Sequence, residues 1–295
     1  MMKRAGNRSE MPWVALFTAP WLLSFAVFLA YPMYLAFRTS FLQVNFLEPE
    51  KAKFVGFGNI VQVISDAVFW RSLFNVIYNQ AIFISLSFVI ALFLAVMLFE
   101  IRRGAAFFRT VYFLPIITSV TVAIIIFNNL TNTNGPIQSL LVSAGLLNEP
   151  VNWKFTQWLP MPILALFNSW KWFGIQMIIL LGGLAGINEA IVEAAKVDGA
   201  GWWRRLFSIL IPQLKPQIVF VLTMNLINGL QMFSEVFLVF DLEGGPYHAG
   251  LTPVLYLYKT GFKDMQMGYA SAIGIVLAVI IFALTNLQLK LANRG

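Results

Sequence analysis

The sequence contains no cysteine, which excludes disulfides and thiol chemistry. It contains one histidine, His248, and a single histidine with no carboxylates arranged around it makes no metal site. No Gly-Lys pair occurs anywhere in the 295 residues. The GxxxxGK[ST] loop, whose backbone amides and lysine hold nucleotide phosphates, is therefore missing, and the chain is read as unable to hydrolyse ATP itself. There is no HExxH sequence and no pair of catalytic carboxylates near a membrane surface, so an integral-membrane enzyme finds no support. The scarcest commodity is charge. Only 11% of residues are Asp, Glu, Lys or Arg, against about 25% in soluble domains.

What fills the chain instead is apolar sequence, 59% of residues. No charge occurs from Met11 to Phe37, Ser72 to Phe99, Thr110 to Asn148, Pro216 to Ser234 or Met265 to Leu289, and Lys171 is the single charge between Phe155 and Asn188. A spanning helix needs about 20 apolar residues to cross about 30 Å of hydrocarbon. Six spans are expected, near 13–37, 73–99, 110–130, 161–185, 217–240 and 269–290, in an all-α integral membrane protein whose residues 1–295 form one transmembrane domain. Barrel strands would show short alternating segments, which are absent.

Lysine and arginine set the orientation. With the amino terminus inside, the inner segments hold Lys3, Arg4, Arg8, Arg102, Arg103, Arg109, Lys196, Arg204, Arg205, Lys215, Lys290 and Arg294, which is 12 of the 20 cations. The outer segments hold seven, and they are the longer ones. Both termini are thus expected in the cytoplasm. The formal charge of +7 reads as topology and attraction to anionic lipid, not as a nucleic-acid surface. The first span has a basic start but is too long for a signal peptide and lacks a small-x-small cleavage site, so it reads as an uncleaved anchor.

Between the spans, residues 54–70 suit a short helix on the membrane surface, with apolar Ile60, Val63, Ile64, Val68 and Phe69. Residues 131–150 read as a turn-rich outer loop. Gly244, Gly245 and Pro246 mark a sharp reversal in the third outer loop. No soluble domain or low-complexity tail is present, so function must sit in the spans and their loops.

The charged exception is the loop 186–216. Asn188 suits an N-cap, Glu189 the first turn, and Gly199 a C-terminal stop, predicting a short helix. Glu193, Ala194 and Ala195 give it a low surface that another protein can approach closely. Trp202 and Trp203 then mark an interface, and Arg204 and Arg205 meet lipid phosphates. These features suit a docking helix and a solvated connector equally.

In the spans, polar residues are the informative ones, because they are costly in lipid and face a bundle interior or water. Asn225, Asn228, Gln231 and Glu235 lie three, three and four residues apart. On one helix they would share an arc of about 120°. Amides donate and accept, as sugar hydroxyls do, so the stripe suits a carbohydrate; hydrogen bonding between helices is the competing reading. Trp170, Trp172 and Phe173 offer aromatic faces for stacking on sugars or for packing. Lys171 lies deeper than a snorkelling lysine prefers, and either pairs with Glu235 or meets an anionic substrate. Gly182, Gly183 and Gly186 read as close helix packing ahead of a hinge.

The spacing of Glu193-Ala194-Ala195, three residues, Gly199, nine residues, Ile209 and Ile211-Pro212 resembles the cytoplasmic EAA loop of binding-protein-dependent ABC importer permeases. That family usually has leucine where Ile211 stands. "FVGFGN" (54–59), "FWRSLFN" (69–75), "GGP" (244–246), "YKTGF" (258–262) and "GYASAIGIVLAVIIF" (268–282) resemble its carbohydrate-uptake branch, which includes the maltose and glycerol-3-phosphate permeases. The resemblance covers nearly the whole chain.

It implies a six-span permease subunit of an ATP-driven sugar importer. Glu193, Ala194, Ala195, Asp198 and Gly199 would couple to an ATPase, and Asn225 and Asn228 would contact sugar. The implied partners are a second, homologous permease in a heterodimer, two ATPase subunits and an extracytoplasmic solute-binding protein. No cofactor is expected in this chain, since ATP and magnesium would be held by the ATPases. The rival reading is an ion-coupled secondary transporter with Lys171 and Glu235 as the coupling pair. Such folds commonly carry internal repeats, and none is evident here. The sequence leaves open which sugar is carried and whether the ATPase is shared.

Overall fold

A computed structural model describes residues 11–45, 47–101 and 104–294. Lys3, Arg4, Arg8, Arg102 and Arg103, and the chain ends whose orientation they predict, lie outside these residues. The rest is mostly helical. Among the described residues five helices are long and apolar enough to cross a membrane, at Trp13–Ser40, Ala67–Glu100, Pro160–Ala185, Lys215–Glu243 and Met267–Ala292. The bent pair Ala105–Ile117 and Val120–Ser143 adds a sixth if it counts as one span. Two compact units result, one from the chain up to Ser65 with Thr260–Val276, the other from Asp66–Lys259 with Leu277 onward.

In the first unit, helix α1 covers residues 11–40, with a π-helical turn at Ala26–Ala30. Its apolar side chains are exposed along its length; Phe17 and Phe28 are each more than three-quarters so. A hairpin follows, β1 (Leu42–Asn45) antiparallel to β2 (Glu48–Phe54). It corrects the all-α expectation: Glu, Lys and Pro are poor strand residues, and here pairing between two short segments outweighs their propensity. Helix α2 (Gly58–Ser65) is shorter than the surface helix expected, and Val68 and Phe69 belong to the next element.

Asn59 gives "FVGFGN" its physical meaning. Its Nδ2 donates to Ser40 O at 2.9 Å and Leu42 O at 3.0 Å, satisfying carbonyls where α1 ends. Gly56 turns the chain with φ +55°, a conformation that favours glycine. Gly268 lies so close to Leu42 O that a Cβ there would overlap it.

The second unit is built on α3 (Ala67–Glu100) and α7 (Pro160–Ala185), which pack along much of their length. Ser87, Ala91 and Ala95 are fully buried on α3 and allow close approach. Helix α4 (Ala105–Ile117) meets α7 at Gly174, where a Cβ would strike Tyr112 O. "FWRSLFN" also works through an asparagine: Asn75 Nδ2 donates to His248 O at 2.7 Å and Leu251 O at 2.9 Å. It thereby holds the 244–251 reversal, in which Gly244 and Gly245 have φ +66° and +73°.

Two expected spans are broken. The third stops at Ile117, turns through extended Thr118 and Ser119, and resumes as α5 (Val120–Thr131), the overall bend being 91°. Pro115 starts the break by withdrawing a backbone N–H from the ladder. Lys171 completes it. This fully buried ammonium donates to Pro115 O at 2.6 Å, Ile116 O at 3.2 Å and Thr118 O.

The fifth span runs as α10 (Lys215–Leu230) and resumes as α11 (Ser234–Phe240), so its four polar residues do not form one continuous helical stripe. Between them Met232 O accepts from Thr252 Oγ1 at 2.7 Å. The 131–150 segment, expected as turns, carries helix α6 (Pro136–Ser143). Gln138 anchors that segment, its Nε2 donating to Val151 O at 2.9 Å while its Oε1 accepts from Val151 N at 3.1 Å.

Replacing Lys171 by Met keeps the length and strands three carbonyls. The expected cost is about 3 kcal/mol, read as a fall of several degrees in the melting temperature of the detergent-solubilised protein. Lys51→Ala breaks an exposed pair with Glu48 and should cost no more than about 0.5 kcal/mol. A Lys171→Met melting temperature equal to the native one would remove the clamp from the account.

Candidate functional site

A cavity of about 560 Å³ opens within the second unit, between α3, α7 and the broken α10–α11 pair, with Ile116 of α4 at its edge. Apolar side chains supply much of its wall, including Phe83, Trp172, Ile175, Phe220 and Met224. Six amides interrupt that wall: Gln80, Asn168, Gln176, Asn225, Asn228 and Gln231. Ser234 and Glu235 complete the polar set.

Several of these groups spend their hydrogen bonds on the protein. Gln176 Nε2 donates to Ser87 Oγ at 3.1 Å and to Asn225 Oδ1 at 3.3 Å, tying α7 to α3 and α10. Gln80 Nε2 donates to Asn79 Oδ1 at 3.2 Å, and Asn79 Nδ2 to Met161 O at 2.8 Å. Three atoms remain without a partner although buried: Gln80 Oε1, Asn168 Oδ1 and Asn225 Nδ2. A buried polar atom left unpaired costs about 1–3 kcal/mol. Three on one cavity wall mark a surface suited to a polar guest.

Gln80 reaches the cavity because residue 229 has no side chain. A Cβ on Gly229 would coincide with the Gln80 amide. Gly229 thus serves a close approach between α3 and α10.

The sequence-selected residues divide. Asn225, Asn228, Gln231, Glu235 and Trp172 line this cavity. Trp170 does not; it is half-exposed, with its ring 6.1 Å from that of Phe167. Phe173 meets Tyr112 instead, with ring centroids 6.2 Å apart. Lys171 is also outside the lining, its protons directed to the carbonyls of the α4 break. Lys171 and Glu235 make no direct ion pair among the described residues, although the two groups lie close enough to act on each other electrostatically. A helix break offers a lysine three acceptors at close range, and this outcompetes one more distant carboxylate. Gln80, Asn168 and Gln176 were not singled out from sequence. Their signal was the one that marked Asn225, an amide within a span, but it was scattered over two other helices.

The charged loop holds α8 (Glu189–Val197), which begins as expected, with Asn188 Oδ1 accepting from Ala190 N at 3.0 Å. It ends in a Schellman closure: Ala200 N donates to Ala195 O at 2.9 Å and Gly199 N to Lys196 O at 3.1 Å, with Gly199 at φ +73°. Ala195 is buried and Ile187 packs with Leu180, Leu184, Leu206 and Leu210. Glu193, Ala194, Val197, Asp198 and Gly199 are exposed. Gly183 sits against Gln217 and Leu214, which is close packing. Beyond α8, on α9 (residues 202–213, with a π-helical turn at Leu206–Leu210), Arg205 pairs with Glu100 at 2.8 Å and fixes the loop to the end of α3.

Known proteins resemble this chain in sequence and in fold. Residues 87–294 match the family described as binding-protein-dependent transport system inner membrane component. The chain is 34% identical over 285 residues to the arabinooligosaccharides transport system permease protein AraP of Bacillus subtilis, covering 94% of this chain and 88% of the relative. It is 33% identical over 280 residues to the lactose transport system permease protein LacF of Rhizobium radiobacter, covering 94% and 93%. In fold it resembles a chain of a bacterial ABC transporter involved in the import of the acidic polysaccharide alginate, with a TM-score of 0.83, 24% identity, and coverage of 97% and 96%. The chain belongs to the family of binding-protein-dependent transport system inner membrane components.

Proposed function

We propose that this chain is a six-span permease half that carries a sugar or oligosaccharide across a bacterial inner membrane through the α3/α7/α10–α11 cavity. The observation that supports it most is the trio of buried, unpartnered amide atoms on the cavity wall of a family member whose relatives are named for arabinooligosaccharides and lactose. Hydroxyl-rich ligands both donate and accept, which is what such a wall lacks. Asn225, Asn228, Gln231, Glu235 and Trp172 would contact the sugar, joined by Gln80 and Asn168. Lys171 holds the wall in shape. Lactose and arabinotriose are the first probes.

Both termini would be cytoplasmic, and α8 would face an ATPase. Its exposed Glu193, Ala194, Asp198 and Gly199 form the docking surface, while buried Ala195 and the Arg205–Glu100 pair join it to the bundle. A short helix capped at both ends moves as one body, which suits the transfer of a rigid displacement to the spans. The partners are a second, homologous permease, two ATPases holding ATP and magnesium, and an extracytoplasmic solute-binding protein. This chain needs no cofactor of its own.

Three outcomes test the reading. Uptake in cells should fail on ATP depletion and persist when the membrane potential is collapsed; the opposite result would establish an ion-coupled carrier. Glu193→Lys and Gly199→Pro should leave the protein in the membrane but remove ATPase co-purification and uptake, and retention of both in both variants would count against docking through α8. Asn225→Leu removes the acceptor that Gln176 uses and a donor of the cavity wall, and should lower sugar uptake about tenfold without loss of ATPase co-purification. Native uptake in Asn225→Leu would remove the cavity as the path.

A further inference from the structure

We infer that the cavity selects uncharged sugars and discriminates against uronates, aldonates and sugar phosphates, because its lining carries a carboxyl group and no cation. The inference rests on the cavity being the sugar path. Four of the six lining amides turn their nitrogens into the protein. Gln80 donates to Asn79 Oδ1, Gln176 to Ser87 Oγ and Asn225 Oδ1, Gln231 to Ile227 O at 3.0 Å, and Asn168 to Met232 Sδ at 3.9 Å. Gln80 Oε1 and Asn168 Oδ1 are unpartnered on side chains that are each 5% exposed, and Glu235 adds a carboxyl group. Asn225 Nδ2 is an unpartnered donor, and Asn228 brings a further amide, with a donor and an acceptor, to the lining.

The cation nearest the Glu235 carboxyl group, Lys171, stands outside the lining. Among the described residues no lysine or arginine lines the cavity. The nearby Lys171 has three protons, and Pro115 O, Ile116 O and Thr118 O accept from it. A neutral sugar meets this wall with hydroxyl donors. The oxygens of a carboxylate or phosphate only accept, so an anion would enter a confined space beside the Glu235 carboxyl group with no cation in the lining to meet its charge. Glu235 is the specificity-determining residue in this arrangement, and Asn168 is the position at which a second carboxylate would add to its effect.

The chain, purified in nanodiscs with the subunits that accompany it and without solute-binding protein, is titrated by saturation-transfer NMR. The probes are lactitol and lactobionate, and the alditol and aldonate of arabinotriose. Each pair differs only in CH2OH against COO⁻ at the open end. The alditols should bind at least about tenfold more tightly than the aldonates. Glu235→Gln should narrow that gap by at least about threefold, and Asn168→Asp should widen it. Equal affinity within each pair, or a gap unmoved by both substitutions while Asn225→Leu still weakens alditol binding, overturns the charge inference and leaves the sugar path standing. No binding of either alditol, or alditol binding indifferent to Asn225→Leu, overturns both.

Discussion

In hydrocarbon no water is available to satisfy a backbone amide or carbonyl, so every interruption of a spanning helix must be staffed by the protein itself. This constraint organises the structure. The bend at Ile117–Val120 exposes carbonyls that a continuous helix would have used, and one lysine side chain, carried on α7, supplies protons to three of them. The gap between α10 and α11 leaves Met232 O to be met by Thr252. In the loops outside the spans, Asn59 and Asn75 meet carbonyls in the same way, at the C-terminal end of α1 and in the reversal at 244–251. Each device pays the same physical debt with a different donor. In return the chain gains irregular backbone at depth, the material from which a polar cavity can be shaped.

The recurring sequence motifs acquire physical content in this light. In "FVGFGN" the glycine supplies a left-handed turn and the asparagine a double donor. In "FWRSLFN" the last residue again donates twice, to carbonyls 173 and 176 positions away in sequence. "GGP" provides two positive-φ residues packed so closely that Gly244 lies against Leu251 and Gly245 against the Phe240 ring. Both asparagines do for a carbonyl cluster what water does at a soluble protein's surface.

The spans were legible because a charge-free run of sufficient length has few uses outside a bilayer. Helix α8 was legible to the residue at its amino end, since an Asn cap and a Gly stop are local chemistry and need no tertiary partner. Lys171 shows the opposite case. Its depth was evident, but its partners are backbone carbonyls of a helix break that nothing near residue 171 encodes, so a side-chain acid was the natural guess. The polar residues of the fifth span were found, yet their continuous stripe assumed a straight helix, and the interruption after Leu230 moved Glu235 to a different element. Gln80, Asn168 and Gln176 stayed hidden because a cavity wall is assembled from several helices, and periodicity reports on one at a time.

The hydrogen atom at position 229 sets a dimension. Since the Gln80 amide occupies the space that any larger residue there would claim, the two positions are bound by a rule of exchange: volume added on one helix must be surrendered on the other. Chains that widen or narrow this cavity over evolutionary time would be expected to alter both sites in step.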